Sequence, residues 1–210
     1  MIVLAFLRLA LALLLSACGG GNGDTGAPAN PDLALDASRW NFAYSPAMPV
    51  HPTQAGPALS FDFPSTDGAH ELLTGYHGSL LGKDSITVSV SIVVDPATTW
   101  ATAKNDPCTN VQMRVMVQKP DDKLTDQWGR YWSIVGIPLQ TSTVTVTIPI
   151  DPEHWSDVYG QSGDKNPGIW ENRFSNIENI GVSFGACSAA HGVWTPTGHA
   201  SFTLAKFALE

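Results

Sequence analysis

Charge is the first thing this sequence is short of. Acidic and basic residues together make up 14% of its 210 positions, against about 25% in an ordinary soluble chain. Base is scarcer still, with 11 Lys and Arg against 19 Asp and Glu and a net charge of −8. A chain that neutralises phosphates needs the opposite balance, so nucleic-acid binding is excluded. Beyond the first 17 residues there is no long apolar run, and about 20 are needed to span a bilayer, which excludes a polytopic membrane protein. A sustained 3.6-residue apolar period is also missing, so long amphipathic helices are not expected. Cysteine is rare, with three in all.

What is present falls into two populations. Residues 1–17 hold fifteen apolar residues interrupted by Arg8, a length that suits a signal-peptide core and falls short of a membrane span. The stretch that follows, Leu15-Ser16-Ala17-Cys18-Gly19, resembles the bacterial lipobox. That resemblance implies cleavage before Cys18, a diacylglycerol thioether on its sulfur and acylation of the new amino group, which together give stable membrane anchoring. The alternative is a plain secretory signal with an incidental cysteine. Under the sorting rule of enteric lipoproteins, glycine rather than aspartate after the cysteine implies the outer membrane of the cell envelope. Residues 18–37 are rich in glycine and proline, read as a flexible tether with a reach of roughly 20–25 Å. The remaining residues, 38–210, are the expected folded domain.

Lipidation of Cys18 leaves Cys108 and Cys187, an even pair in an oxidising compartment. A disulfide between them would stabilise by roughly 4–5 kcal/mol in the chain-entropy model; two buried thiols are the alternative.

Strict alternation dominates the domain. Ile86 to Val94 places five apolar residues on one parity, with Thr87, Ser89 and Ser91 opposite. Trp40, Phe42 and Tyr44 alternate, as do Leu59, Phe61 and Phe63. Val111, Met113, Val115 and Val117 oppose Gln112, Arg114 and Gln118. The segments 144–150 and 180–184 repeat the pattern, and 202–209 changes parity midway, which predicts a β-bulge. Weaker strand candidates lie at 72–76 and 131–135, and short helical turns are expected at 152–158, capped by Asp151, and at 171–177. Period two without crossover helices predicts an all-β fold, an antiparallel two-sheet sandwich of jelly-roll type. The low charge then follows from strands that are half core and half Ser/Thr.

The run Asn176-Ile-Glu-Asn-Ile-Gly-Val-Ser-Phe-Gly185, followed by Ala200-Ser-Phe-Thr-Leu-Ala-Lys-Phe207, resembles the last strands of galactose-binding-like jelly rolls, the fold of many carbohydrate-binding modules. The resemblance implies a non-catalytic glycan-binding domain. Where many such modules carry an aspartate pair, this chain has Ala205-Lys206.

Sugar faces are met by rings and sugar hydroxyls by polar side chains. The densest mixture is the segment around Trp128, Arg130, Tyr131 and Trp132. Arg114 and Gln118 are expected to share the solvent face of one strand, and His191 with Trp194 to sit in a loop near Cys187. These seven, Arg114, Gln118, Trp128, Tyr131, Trp132, His191 and Trp194, are the candidate ligand contacts; core packing of the rings is the alternative. No His-Glu-x-x-His, Gly-x-Ser-x-Gly or Glu-x-Asp-x-x-Glu signature occurs, so no metal, cofactor or catalytic residue is expected. Three functions remain in order of support: glycan binding at the envelope, docking of an envelope protein partner, and polysaccharide cleavage.

Overall fold

The alternating segments become strands, and the inward parity of the longest ones faces the core. The computed structural model describes residues 33–102, 110–122, 129–186 and 192–210. Cys18, Cys108, Cys187, Trp128 and His191 lie outside the described residues. The larger sheet runs in the order β1 (Trp40–Ala43), β4 (Glu71–Gly78), β12 (Ile177–Gly185), β7 (Gln112–Gln118), β8 (Arg130–Ser133) and β11 (Trp155–Ser156), with β9 (Ile137–Pro138) also on β7. The smaller sheet is β10 (Ser142–Pro149), β5 (Ser85–Val94), β14 (Ala200–Leu209), β3 (Ala58–Asp62) and β2 (Thr53–Ala55). A two-stranded ribbon joins β6 (Thr99–Thr102) to β13 (Val193–Thr197). Every pairing of these strands is antiparallel. This is the jelly-roll sandwich that the alternation predicts.

The core is where the two inner faces meet. Ile86, Val88, Val90 and Ile92 of β5 are buried, as are Val115 and Val117 of β7 and Ile180, Val182 and Phe184 of β12. Phe61, Phe63, Phe184 and Phe202 form one aromatic knot with ring centres 5.1–6.4 Å apart. Most of these pairs are edge-on, the arrangement that aromatic quadrupoles favour. The parity change in β14 is a bulge: the register shifts between Leu204 and Lys206. Phe202, Leu204 and Phe207 are thereby all buried, while Ala205 and Lys206 are exposed.

Two boundaries differ from expectation. A 3₁₀ turn at Pro152–His154 is capped by Asp151 as the sequence predicts, its Oδ1 accepting from the amides of Glu153 and His154. The helix α1, however, spans Pro167–Phe174 and so begins four residues before Glu171. Pro167 at its first turn has no amide to satisfy, and Trp170 and Phe174, one turn apart, stack on each other at 4.4 Å in the core. Packing also reaches back to Leu33 and Leu35, inside the stretch read as tether. Gln54 holds that segment, donating to the Leu35 carbonyl at 3.0 Å and accepting from the Ala37 amide at 2.8 Å. No described helix is long and apolar enough to cross a membrane.

Candidate functional site

The outer face of the larger sheet is where the candidate residues meet, and the register says how. Ser183 of β12 pairs with Glu71 on one side and Arg114 on the other. One row along, Gly181 pairs with Leu73 and with Met116, which in turn pairs with Trp132. In the next row Asn179 pairs with Gly75 and with Gln118, which pairs with Arg130. Paired residues share a face, so three rows of side chains lie side by side.

The middle row is apolar. Leu73, Met116 and Trp132 form a second, smaller cluster, each 6% exposed or less, with Ala43 and Val158 packed against it. Gly181 in this row is a close-approach glycine, since a Cβ there would collide with the Leu72 carbonyl oxygen.

The flanking rows build a buried charge network. Arg130 Nη2 lies 2.7 Å from Asp122 Oδ2, and Nη1 lies 3.8 Å from Glu71 Oε1. Two strands, β7 and β12, separate Arg130 from Glu71, so the guanidinium reaches across the sheet. All three side chains are 7% exposed or less. Gln118 donates to Asp122 Oδ2 at 3.0 Å and accepts from Asn179 Nδ2 at 2.9 Å. Burial pushes the Glu71 carboxyl up to about 7, outweighing the pull of Arg130, and the Asp122 charge adds to the push. Asp122 Oδ1, Glu71 Oε2, Arg130 Nε and Trp132 Nε1 are buried with no hydrogen-bond partner among the described residues. Four orphaned polar atoms on one face are unusual in a native fold.

At the edge of this network stands Tyr44. The alternation of Trp40, Phe42 and Tyr44 puts it in the core, but β1 ends at Ala43 and Tyr44 leaves the strand with φ +53°. That left-handed conformation is strained for a bulky residue, and it turns the ring outward to 44% exposure. Arg130 Nη2 donates to the Tyr44 hydroxyl at 2.9 Å, with the guanidinium carbon 4.9 Å from the ring centre. The loop behind is tied down. The Phe42 amide donates to the Val50 carbonyl at 2.9 Å, and Ser45 Oγ accepts from the His70 amide at 2.9 Å. Tyr44, Pro46, Met48 and Val50 line an open trough of about 500 Å³.

The seven candidate contacts therefore separate. Arg114 and Gln118 share the outer face by parity, but Gln118 is buried there, so this is not the solvent face expected of them. Tyr131 does not: it points into the core, 1% exposed, with its ring edge-on to Phe174 at 5.7 Å, and its hydroxyl is pushed up to about 12 by burial and the Asp157 charge. Trp132 faces outward yet is covered, 3% exposed, so neither ring offers an open surface. Trp194 is half-buried on the ribbon, opposite Ala101. Tyr44, Glu71, Asp122 and Asn179 were not legible as site residues; only the unusual burial of carboxylates marks them, and burial is a tertiary property. Glu71 and Asp122 do not resemble a hydrolytic pair either. The Arg130 guanidinium occupies the gap between them where a scissile bond would lie. Among the described residues no group of three His, Cys, Asp or Glu is arranged to hold a metal.

No protein-family model matches the chain, and no curated protein matches it. Among solved structures it is similar to the family 11 carbohydrate-binding module of a cellulosomal cellulase of Clostridium thermocellum, at 13% identity and a TM-score of 0.31, covering 73% of this chain and 84% of that one. A solution structure of CtCBM11 matches at 13% identity and a TM-score of 0.29, covering 72% of this chain and 82% of the other.

Proposed function

We propose that this chain is a lipid-anchored protein of the bacterial envelope, held by Cys18, whose sandwich binds glycan without cleaving it. The observation that carries the reading is Tyr44. A half-exposed ring, strained into the left-handed region and fixed through its hydroxyl by a buried arginine, stands beside an open trough. Strain of this kind persists where the surroundings over-determine it, and it clusters at ligand sites. A pre-set ring offers a flat apolar face to a sugar at little ordering cost. Arg114, half-buried on the outer face of the same sheet, adds hydrogen-bond donors.

Retardation of the full-length chain in native gels containing soluble polysaccharides, together with a glycan array, tests this. The wild type is expected to be retained by at least one polysaccharide, and Tyr44→Ala to weaken binding about tenfold, roughly 1.4 kcal/mol. Retention of neither protein by any glycan would overturn the reading. The anchor is tested separately by the mass of the mature chain, with Cys18→Ser expected to abolish the lipid adduct.

The second reading, a protein partner, is favoured by the apolar rim of the trough, where Val50 is 68% exposed. Capture of a defined envelope protein by wild type and not by Val50→Asp, with no glycan binding, would support it.

A further inference from the structure

The outer face of the smaller sheet carries one line of hydroxyls across all five strands. Thr143 pairs with Ser91, Ser91 with Thr203, Thr203 with Ser60, and Ser60 with Thr53. At about 4.8 Å between strands, the line is roughly 19 Å long.

Its two halves differ chemically. On β10 and β5 the hydroxyls satisfy one another: Thr143 with Ser91 at 3.1 Å, Thr145 with Ser89 at 2.7 Å, Thr147 with Thr87 at 3.0 Å. On β14, β3 and β2, the side chains of Thr203, Ser201, Ser60 and Thr53 make no hydrogen bond to another described residue. These uncommitted hydroxyls line a hollow of about 430 Å³ together with Asp62. Ser201 pairs with Asp62 across β14 and β3. The Asp62 carboxylate is 66% exposed, with Oδ1 held 3.2 Å from His199 Nε2.

We propose that this hollow is a second saccharide site, which takes a neutral sugar chain through its hydroxyls. Each Ser or Thr hydroxyl both donates and accepts, as a sugar hydroxyl does, and a carboxylate accepts from the adjacent hydroxyls of a diol. Among the described residues no cationic side chain lines the hollow, and Asp62 repels acidic polymers, so the ligand is uncharged. Binding rests on hydrogen bonds with no exposed ring to stack on, which places it in the millimolar range. The hollow lies on the opposite sheet from Tyr44 and shares no lining residue with its trough. The proposal therefore stands independently of the Tyr44 reading, and the two sites together would let one domain bridge two chains.

The test uses the full-length chain with ¹³C-labelled threonine methyls, titrated to roughly 10 mM with cellohexaose, xylohexaose, mannohexaose and, as the acidic control, hexagalacturonate. At least one neutral hexaose is expected to shift the Thr53 and Thr203 methyl signals saturably, in Tyr44→Ala as in wild type. Asp62→Asn and Thr203→Val, both conservative changes at the surface, are expected to weaken the Thr53 response at least tenfold and leave retention at Tyr44 intact. The proposal falls if no neutral hexaose moves these signals. It also falls if the two variants titrate like wild type, or if hexagalacturonate binds more tightly than the neutral sugars. Loss of binding in Tyr44→Ala alone, with the Thr53 response retained, would separate failure of the first site from failure of this one.

Discussion

The two outer faces of the sandwich come from the same alternating grammar and end in opposite states. On the smaller sheet, most outward positions are Ser and Thr; apart from the buried Ser85 and Thr87 they are at least partly exposed, and those of β10 and β5 pair rung by rung. On the larger sheet the outward positions include Glu71, Met116, Gln118, Arg130 and Trp132, and every one of these is buried. A face of small hydroxyls can remain wet at no cost. A face carrying a tryptophan, a methionine and a three-charge network must be covered or satisfied internally, because an unpaired buried charge costs several kcal/mol. The difference teaches that strand parity assigns sides but does not say which side is solvent.

The sharpest way to break this contrast is to remove the cation. Arg130→Ala leaves Glu71 and Asp122 buried without their partner and is expected to cost about 3–5 kcal/mol in urea unfolding. If it costs no more than a surface change on the smaller sheet, the larger sheet's outer face is not an integral second layer.

Next in size is a pH effect confined to that face. Glu71 has its folded pKa raised from 4.5 to about 7, so the native state holds a proton that the unfolded chain releases. Stability from this group is therefore greatest below the unfolded value and falls as pH rises toward 7, by about 3 kcal/mol in total. Glu71→Gln cannot titrate and should flatten that decline; urea midpoints measured across the interval would reveal it. An unchanged slope would mean that Arg130 keeps Glu71 ionised.

A smaller effect is expected where the network meets solvent. Tyr44→Phe removes the acceptor for Arg130 Nη2 and keeps the ring, costing about 1.5 kcal/mol. The smallest belongs to the other sheet. Thr145→Val deletes an exposed rung to Ser89 and should change stability by less than about 1 kcal/mol, since a β-branched residue suits a strand. A larger loss there would show that the hydroxyl rungs act as a unit.

Much of the fold was legible because burial on one face imposes a period of two. The inward sets of β5, β7 and β12 follow from it, and so does the bulge in β14, where Leu204 and Phe207 have opposite parity but the same need for the core. Asp151 as a cap was legible from local chemistry alone. The start of α1 was not, because Trp170 and Phe174 define its buried face only once a sheet lies beneath them. Arg114 and Gln118 were placed on one outer face by parity, whereas Tyr131 and Trp132 are neighbours in sequence and necessarily point to opposite sides. Tyr44 was invisible: its outward turn comes with a positive φ, and its hydroxyl meets an arginine 86 positions away.

The sequence by itself determined the fold class, the inward parity of the long strands β5, β7, β12 and β14, the bulge in β14, and the poverty of charge that a Ser/Thr-faced sandwich requires. These are local properties, fixed by the alternation of side chains along a strand. Only the tertiary structure decided which outer face is covered, that Glu71, Asp122 and Arg130 meet from separate strands and loops, and that Tyr44 is held out beside the trough. Those outcomes depend on strand order, and strand order sets which distant residues become neighbours.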